Sequence, residues 1–137
     1  MDLTRIPLFE ALTKRMAWLN QRQTVLAQNV ANADTPGYTA QDLREPNFGA
    51  ILKGTGDQLT LATTEAGHLQ PKQDDGGFER ISTGGERSLN GNNVSLEEQM
   101  MQVSNTSASY ALTVNLYQAQ LGLIKTALGT GGGGSGG

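Results

Sequence analysis

The fold is decided by residues 96–128, which read LEEQMMQVSNTSASYALTVNLYQAQLGLIKTAL. Large side chains recur along this stretch in alternating steps of four and three residues, with one polar interruption at Ser107. A mean step of about 3.5 residues keeps one narrow apolar seam on one side of a supercoiled helix. The predicted seam of this C-terminal helix consists of Leu96, Met100, Val103, Ser107, Tyr110, Val114, Tyr117, Leu121, Ile124 and Leu128.

A second seam with the same spacing lies near the N-terminus, and it also has one polar interruption, Gln23. Good helix formers dominate the chain from residue 3 to about residue 31. Pro7 is tolerated only in the first turn of a helix, so we expect the regular helix to begin near Ile6. This predicts an N-terminal helix within residues 1–31 whose seam consists of Phe9, Leu12, Met16, Leu19, Gln23, Leu26 and Val30.

The N-terminal helix is predicted to end at the sequence NADTPGY, residues 32–38. Asn32 tolerates a left-handed cap at the end of a helix. Pro36 and Gly37 suit the two central positions of a type II turn. Tyr38 follows as a large amphipathic anchor, so the chain is expected to leave the helix in a fixed direction.

The C-terminal helix has an equally clear start and end. Asn90 and Gly91 are a turn signal, and Ser95 with Glu98 three residues later forms a capping box. Gly129 is a suitable C-cap. These signals place the helix within residues 93–129. Residues 130–137 contain only Gly and Ser after a Thr, which predicts a flexible tail, either natural or a linker.

The middle of the chain, residues 32–92, is predicted to be the signature turn followed by an extended, loop-rich segment. Glycine recurs along it, and only Leu59, Leu61 and Ile81 suggest short strands. If this segment returns the chain, the two helices run antiparallel. The expected fold is therefore mainly α, with two long terminal helices in an antiparallel coiled-coil hairpin around an extended, partly irregular or short-β middle segment.

Antiparallel pairing predicts a register for the two seams. Val30 would lie beside Met100, and Phe9 beside Leu121, which puts Gln23 level with Ser107. One hypothesis is that these two polar residues bond to each other or share a water, because a polar layer can fix register. The alternative is that each polar residue faces solvent through a gap in the seam.

Composition argues against several classes of function. The net charge is −3 and no basic patch stands out, which argues against nucleic-acid binding. The chain has no cysteine, and its one histidine, His68, matches no metal-ligand spacing. No stretch is long and apolar enough to span a membrane, and residues 1–5 do not resemble a cleavable signal peptide. We expect no enzyme, no metal, no cofactor and no small-molecule substrate.

Two stretches carry a family resemblance. Residues 21–38, QRQTVLAQNVANADTPGY, resemble the N-terminal signature of the bacterial flagellar rod and hook axial proteins. Residues 89–100, LNGNNVSLEEQM, resemble the start of that family's C-terminal helix, and the resemblance covers the chain to about Gly129. The sequence ADTPGY followed by QDL is most similar to a rod member, and the short chain has no room for the inserted domains of distal-rod and hook relatives.

The resemblance implies a structural subunit of the proximal rod, which crosses the periplasm as part of the drive shaft. It implies secretion by the flagellar type III export apparatus without a cleaved signal. The two seams would be the assembly interface, packing against copies of the chain, FlgC, FlgF, FlgG and FliE. The signature turn would comprise Asn29, Asn32, Ala33, Asp34, Thr35, Pro36, Gly37 and Tyr38. The alternative function is a small helical adaptor or export chaperone that binds one partner through the same seams.

Overall fold

Two long helices frame a computed structural model that describes residues 6–53, 77–83 and 85–129. Helix α1 spans Pro7–Ala31, and helix α3 spans Leu96–Gly129. Between them along the chain lie strand β1 (Gln41–Leu43), the short helix α2 (Phe48–Leu52) and strand β2 (Arg80–Ser82). The chain is mainly helical with a small two-stranded sheet, as the sequence predicts.

Helix α1 begins and ends where the sequence places it. Pro7 occupies its first turn after Ile6, and Ala31 ends it. The type II turn is confirmed, because the Tyr38 amide donates to the Thr35 carbonyl at 3.2 Å and Gly37 has a φ of +73°. That φ lies in the left-handed region, which glycine enters at little cost.

Asn32 does not adopt the left-handed cap that its residue type allows. Asn32 has a φ of −105° and a ψ of 14°. Its side-chain amide donates to the Gln28 carbonyl at 2.8 Å, and its backbone N–H donates to the same carbonyl at 3.1 Å. The asparagine therefore satisfies the end of the helix with its side chain, and the left-handed residue comes later, at Gly37.

Helix α3 begins with the predicted cap. The Glu98 amide donates to the Ser95 hydroxyl at 3.4 Å. The Glu98 carboxylate accepts a hydrogen bond from the Gln102 side chain at 3.3 Å, on the outside of the helix. The helix continues to Gly129, the residue predicted as its C-cap.

The two strands form an antiparallel pair in which Asp42 lies opposite Ile81. This confirms the predicted strand at Ile81, whereas Leu59, Leu61 and residues 130–137 lie outside the described residues. Helix α2 was not predicted. Its N-cap is Asn47, whose side chain accepts from the Ala50 amide at 3.1 Å, and the Pro46–Asn47 pair is the sequence signal for it.

A compact apolar cluster joins α1 to the sheet and α2. Trp18, Leu19, Val25 and Leu43 form it, and Phe48 and Phe78 pack against it. The Trp18 indole N–H donates to the Arg44 carbonyl at 3.0 Å, so the one polar atom of this large side chain is satisfied. The cluster fixes one side of α1 to the sheet and α2.

Helices α1 and α3 contact each other in opposite order along the chain. The contacts are Asn29 with Gln99 at 2.8 Å, Arg22 with Gln102 at 3.0 Å, and the Phe9 and Tyr117 rings with centroids 5.2 Å apart. The Phe9 contact lies about one turn from the predicted partner, Leu121. Neither helix, within the described ranges, combines the length and the apolar character needed to cross a membrane.

Candidate assembly interface

The side of α3 that packs on α1 is more polar than predicted. The buried residues of α3 are Gln99, Thr106 and Thr113, which are spaced seven apart. Met100 and Ser107, the adjacent residues of the predicted seam, are exposed. Consecutive residues of a helix are about 100° apart around its axis. The face of α3 that packs on α1 is therefore rotated away from the predicted seam.

Met100 is therefore not buried beside Val30 as the seam predicts, and the reason lies on α1. Asn29 is fully buried, and its amide needs polar partners that an apolar seam cannot supply. Gln99 supplies one of them, because its side-chain oxygen accepts from the Asn29 amide. Burying Gln99 turns Met100 outward, where 58% of it is exposed.

The predicted seam residues fall into three groups in the structure. The buried ones all belong to α1: Phe9, Leu12, Leu19 and Leu26. The half-buried ones are Met16, Gln23, Val30, Val103, Val114, Tyr117, Leu121 and Ile124. The exposed ones all belong to α3: Leu96, Met100, Ser107, Tyr110 and Leu128.

Helix α3 also exposes large apolar side chains on the opposite flank of its packed face. This second strip consists of Met101, Leu112, Leu116 and Leu123, of which Leu112 is 70% exposed. The heptad spacing does not predict this strip, because its residues lie off the heptad positions. Met101, Leu112 and Leu123 are eleven residues apart, about three helical turns, and that spacing is the signal that predicts a second straight strip.

The second strip borders an apolar groove. Helices α1, α2 and α3 enclose a space of about 310 Å³. Its apolar lining comes from Leu8, Leu12, Phe48, Leu52, Leu112 and Leu116. The Arg15 guanidinium covers the Phe48 ring at 5.4 Å. Leu112 and Leu116 belong to both the groove and the strip, so the two apolar surfaces adjoin there.

Asn29 ties the ends of both long helices to the sheet. Its amide donates to the Gln41 carbonyl at 2.6 Å and to Gln99. Its carbonyl oxygen accepts from the Gln41 amide at 3.0 Å and from the Tyr38 hydroxyl at 3.2 Å. An asparagine side chain offers two donors and two acceptor positions, so Asn29 uses its full capacity.

A second asparagine, Asn92, stabilises the signature turn from its buried side. Asn92 is buried, and its amide donates to the carbonyls of Asn32, Ala33 and Thr35 at 2.7–3.1 Å. Asn93 binds the other side of the turn, since its side-chain oxygen accepts from the Ala40 amide at 2.7 Å. Asp34, Thr35, Pro36 and Gly37 remain exposed. The turn is therefore rigid and faces outward.

A charged cluster connects α1, β1 and α3. The Arg22 guanidinium binds both oxygens of Asp42, at 2.8 and 2.7 Å, and also donates to Gln102. It lies over the Trp18 ring at 5.4 Å. Paired arginine and carboxylate groups of this geometry hold one orientation, so the cluster supports the register set by Asn29.

The structure gives no sign of a reactive centre in the part of the chain it describes. No group of three His, Cys, Asp or Glu residues that could hold a metal ion occurs within residues 6–53, 77–83 and 85–129. His68 lies outside these residues. What the geometry presents is a rigid turn and two apolar strips, which are features of a protein-binding surface.

Comparison with known proteins decides the family. A family model described as "Flagella basal body rod protein" matches residues 9–39, which cover most of α1 and the signature turn. The flagellar basal body rod protein FlgB of Proteus mirabilis is 31% identical over 121 residues, covering 82% of this chain and 83% of that protein. The chain belongs to the FlgB family of flagellar basal body rod proteins.

Other FlgB proteins show the same extent of similarity. FlgB of Agrobacterium fabrum is 29% identical, covering 83% of this chain and 87% of its own. FlgB of Bacillus subtilis is 28% identical, covering 81% and 84%. As an FlgB-family member, the chain is a structural subunit of the basal body rod and assembles with other rod components. This confirms the predicted structural role and the prediction that the chain is not an enzyme.

Proposed function

We propose that this FlgB-family chain builds the proximal rod by packing both exposed strips of α3 against neighbouring subunits. The observation that carries the proposal is the exposure of large apolar residues on two flanks of one helix. Leu112 and Met100, on opposite flanks, are 70% and 58% exposed. A contiguous apolar surface of this kind is typical of a protein interface.

Energetics favour burial of these strips by protein. Apolar area removed from water contributes about 25 cal/mol per Å². The packed face of α3 is already occupied by α1, so both strips are left for neighbouring subunits to cover. Contacts between two different patches are heterologous, and heterologous contacts that do not close produce helical assemblies. Two strips on one helix therefore suit a subunit of a tube.

The finer features of the proposal rest on the two long helices and on the family to which the chain belongs. Helices α1 and α3 form an antiparallel coiled-coil hairpin, supported by the opposite order of their contacts. The seam residues of both helices and the signature turn, Asn29 to Tyr38, contribute to the assembly interface. The partners are copies of this chain, FlgC, FlgF, FlgG and FliE. The subunit passes through the flagellar type III export apparatus into the periplasm, where the rod forms.

The test is a charge on the second strip. Leu112→Asp places a carboxylate where the proposal buries an apolar surface, and an unpaired buried charge is costly. We expect at least a tenfold loss of the chain from isolated basal bodies, with loss of swimming. The measurement is the amount of chain per basal body in cells that carry the variant as their only copy.

Asn115→Asp is the matched control for Leu112→Asp. Asn115 is exposed on the same helix, so this variant adds the same charge at a polar position. We expect normal incorporation of Asn115→Asp. Normal incorporation of Leu112→Asp as well would overturn the proposal that the strips are interfaces.

A further inference from the structure

The contact between α1 and α3 contains one polar layer that the two helices leave unsatisfied. Gln23 Oε1 and Thr106 Oγ1 are both buried, and neither atom has a hydrogen-bond partner among the described residues. A buried polar atom that is left unpaired loses the hydrogen bonds it makes to water in the unfolded chain, which destabilises the fold. Such atoms are rare in folded proteins, so this layer calls for a physical explanation.

The other buried polar side chains between these helices are satisfied. Asn29 and Gln99 bond to each other. Thr113, one heptad after Thr106, donates its hydroxyl to the Ser109 carbonyl at 2.8 Å. The layer at Gln23 and Thr106 is thus an exception within an otherwise paired contact. The predicted direct bond between Gln23 and Ser107 is not formed, and Ser107 is exposed.

Both unsatisfied residues line one cavity between α1 and α3. The cavity has a volume of about 140 Å³, which is roomier than one water molecule needs. Its remaining lining consists of Leu19, Asn20, Ser107 and Tyr110. None of these six side chains is charged. Asn20, Ser107 and Tyr110 are exposed, so they form a polar rim around the opening.

We propose that this cavity, with its two unsatisfied polar atoms, binds a neutral hydrogen-bonding side chain, an amide or a hydroxyl, of a neighbouring rod subunit. The inference rests on the proposed function, because Ser107 and Tyr110 line the opening and belong to the predicted seam that a neighbour covers. A neighbour that covers these residues also closes the cavity. It must then bring its own hydrogen-bonding group or leave the polar layer unpaired in a dry interface.

The chemistry of the cavity decides which side chain it accepts. Gln23 Oε1 accepts a hydrogen bond, and the Thr106 hydroxyl both donates and accepts. A charged group would be buried without a counter-charge, because the lining is neutral, and that is unfavourable. An amide or hydroxyl group satisfies both atoms without that cost.

Thr106→Val tests the proposal because it removes the hydroxyl and keeps the shape. We expect the full-length chain to unfold in urea at the same or a higher midpoint, because an unsatisfied group has been removed. We expect five- to tenfold less of the chain in isolated basal bodies, the effect of losing one buried hydrogen bond at the interface. Gln23→Met is expected to show the same pair of changes.

Two matched variants complete the experiment. Thr106→Ser keeps the hydroxyl and is expected to restore normal incorporation. Thr113→Val removes a hydroxyl that is already bonded within α3, and it is expected to leave incorporation unchanged.

Two results would overturn the proposal. If Thr106→Val lowers the urea midpoint and Thr106→Ser restores it, the layer is satisfied within one subunit, by trapped water. If Thr106→Val and Gln23→Met leave incorporation unchanged, no neighbour uses the cavity. In either case a block of incorporation by Leu112→Asp would leave the proposed function standing, so the two failures are distinguishable.

Discussion

Asn29 shows how much one side chain can organise in this fold. It lies at the end of α1 and binds β1, the signature turn and α3 at once. Asparagine amides bind freed backbone groups where helices stop, so the contact of Asn29 with the Gln41 backbone is of a kind that the sequence indicates. The sequence could not predict Gln99 as a partner, which is 70 residues away, because only the folded arrangement brings the two together.

Replacing Asn29 with alanine is expected to lower the free energy of unfolding by about 2–5 kcal/mol. The substitution leaves the Gln41 amide and carbonyl without the partner they have at Asn29, and each unpaired buried group costs about 1–3 kcal/mol. Urea denaturation followed by circular dichroism measures the change. Asn115→Ala, at an exposed position, is the control and should change stability by less than about 0.5 kcal/mol. Equal effects of the two variants would contradict the role assigned to Asn29.

At the scale of elements, local sequence signals predict the bounds of α1 and α3 but do not predict helix α2. Pro7 and the sequence NADTPGY determine the ends of α1 through backbone geometry alone, so these bounds follow from sequence. Helix α2 is only five residues long, and its pattern is too short for periodicity to reveal. Its cap, Asn47, is visible in sequence but is also a common loop residue.

Replacing either of two glycines with alanine is expected to change the free energy of unfolding, in opposite directions at the two positions. Gly122 lies inside α3, and a Cβ there would meet nothing within 4 Å. Gly122→Ala should therefore raise the free energy of unfolding by about 0.5–1 kcal/mol, because alanine loses less backbone entropy in a helix. Gly37→Ala should lower it by about 1 kcal/mol, because Gly37 has a positive φ that alanine adopts at a cost. Thermal unfolding of both variants checks the two signs, and a stabilising Gly37→Ala would contradict the turn geometry.

At the scale of the whole molecule, the two long helices differ in length, and the buried residues of α3 lie from Gln99 to Thr113. Helix α3 has 34 residues and is about 51 Å long, whereas α1 has 25 residues and is about 38 Å long. The last buried residue of α3 within the described ranges is Thr113. The heptads predicted that two helices pack together. They could not predict the rotation of α3, because the spacing leaves Gln99 and Met100 as competing choices, and the buried amide of Asn29 decides between them.

The distribution of buried residues along α3 predicts which backbone hydrogen bonds of this helix break first in solution. Amide hydrogens of residues 122–129 should exchange with deuterium at least about 100-fold faster than those of residues 99–113, because segments with few buried contacts open more easily. Incorporation into the rod should remove most of this difference by covering the end of the helix. Hydrogen–deuterium exchange of the full chain, free and in isolated basal bodies, measures both. Uniform protection along α3 in the free chain would contradict the prediction.

Trp18 gives the molecule a built-in optical reporter. It is the one tryptophan of the chain, and it lies edge-on to Phe48 at 6.3 Å beneath the Arg22 guanidinium. Its fluorescence therefore originates from a single place, where the first long helix meets the small sheet. Emission wavelength and quenching can follow that junction through unfolding and refolding without any added dye.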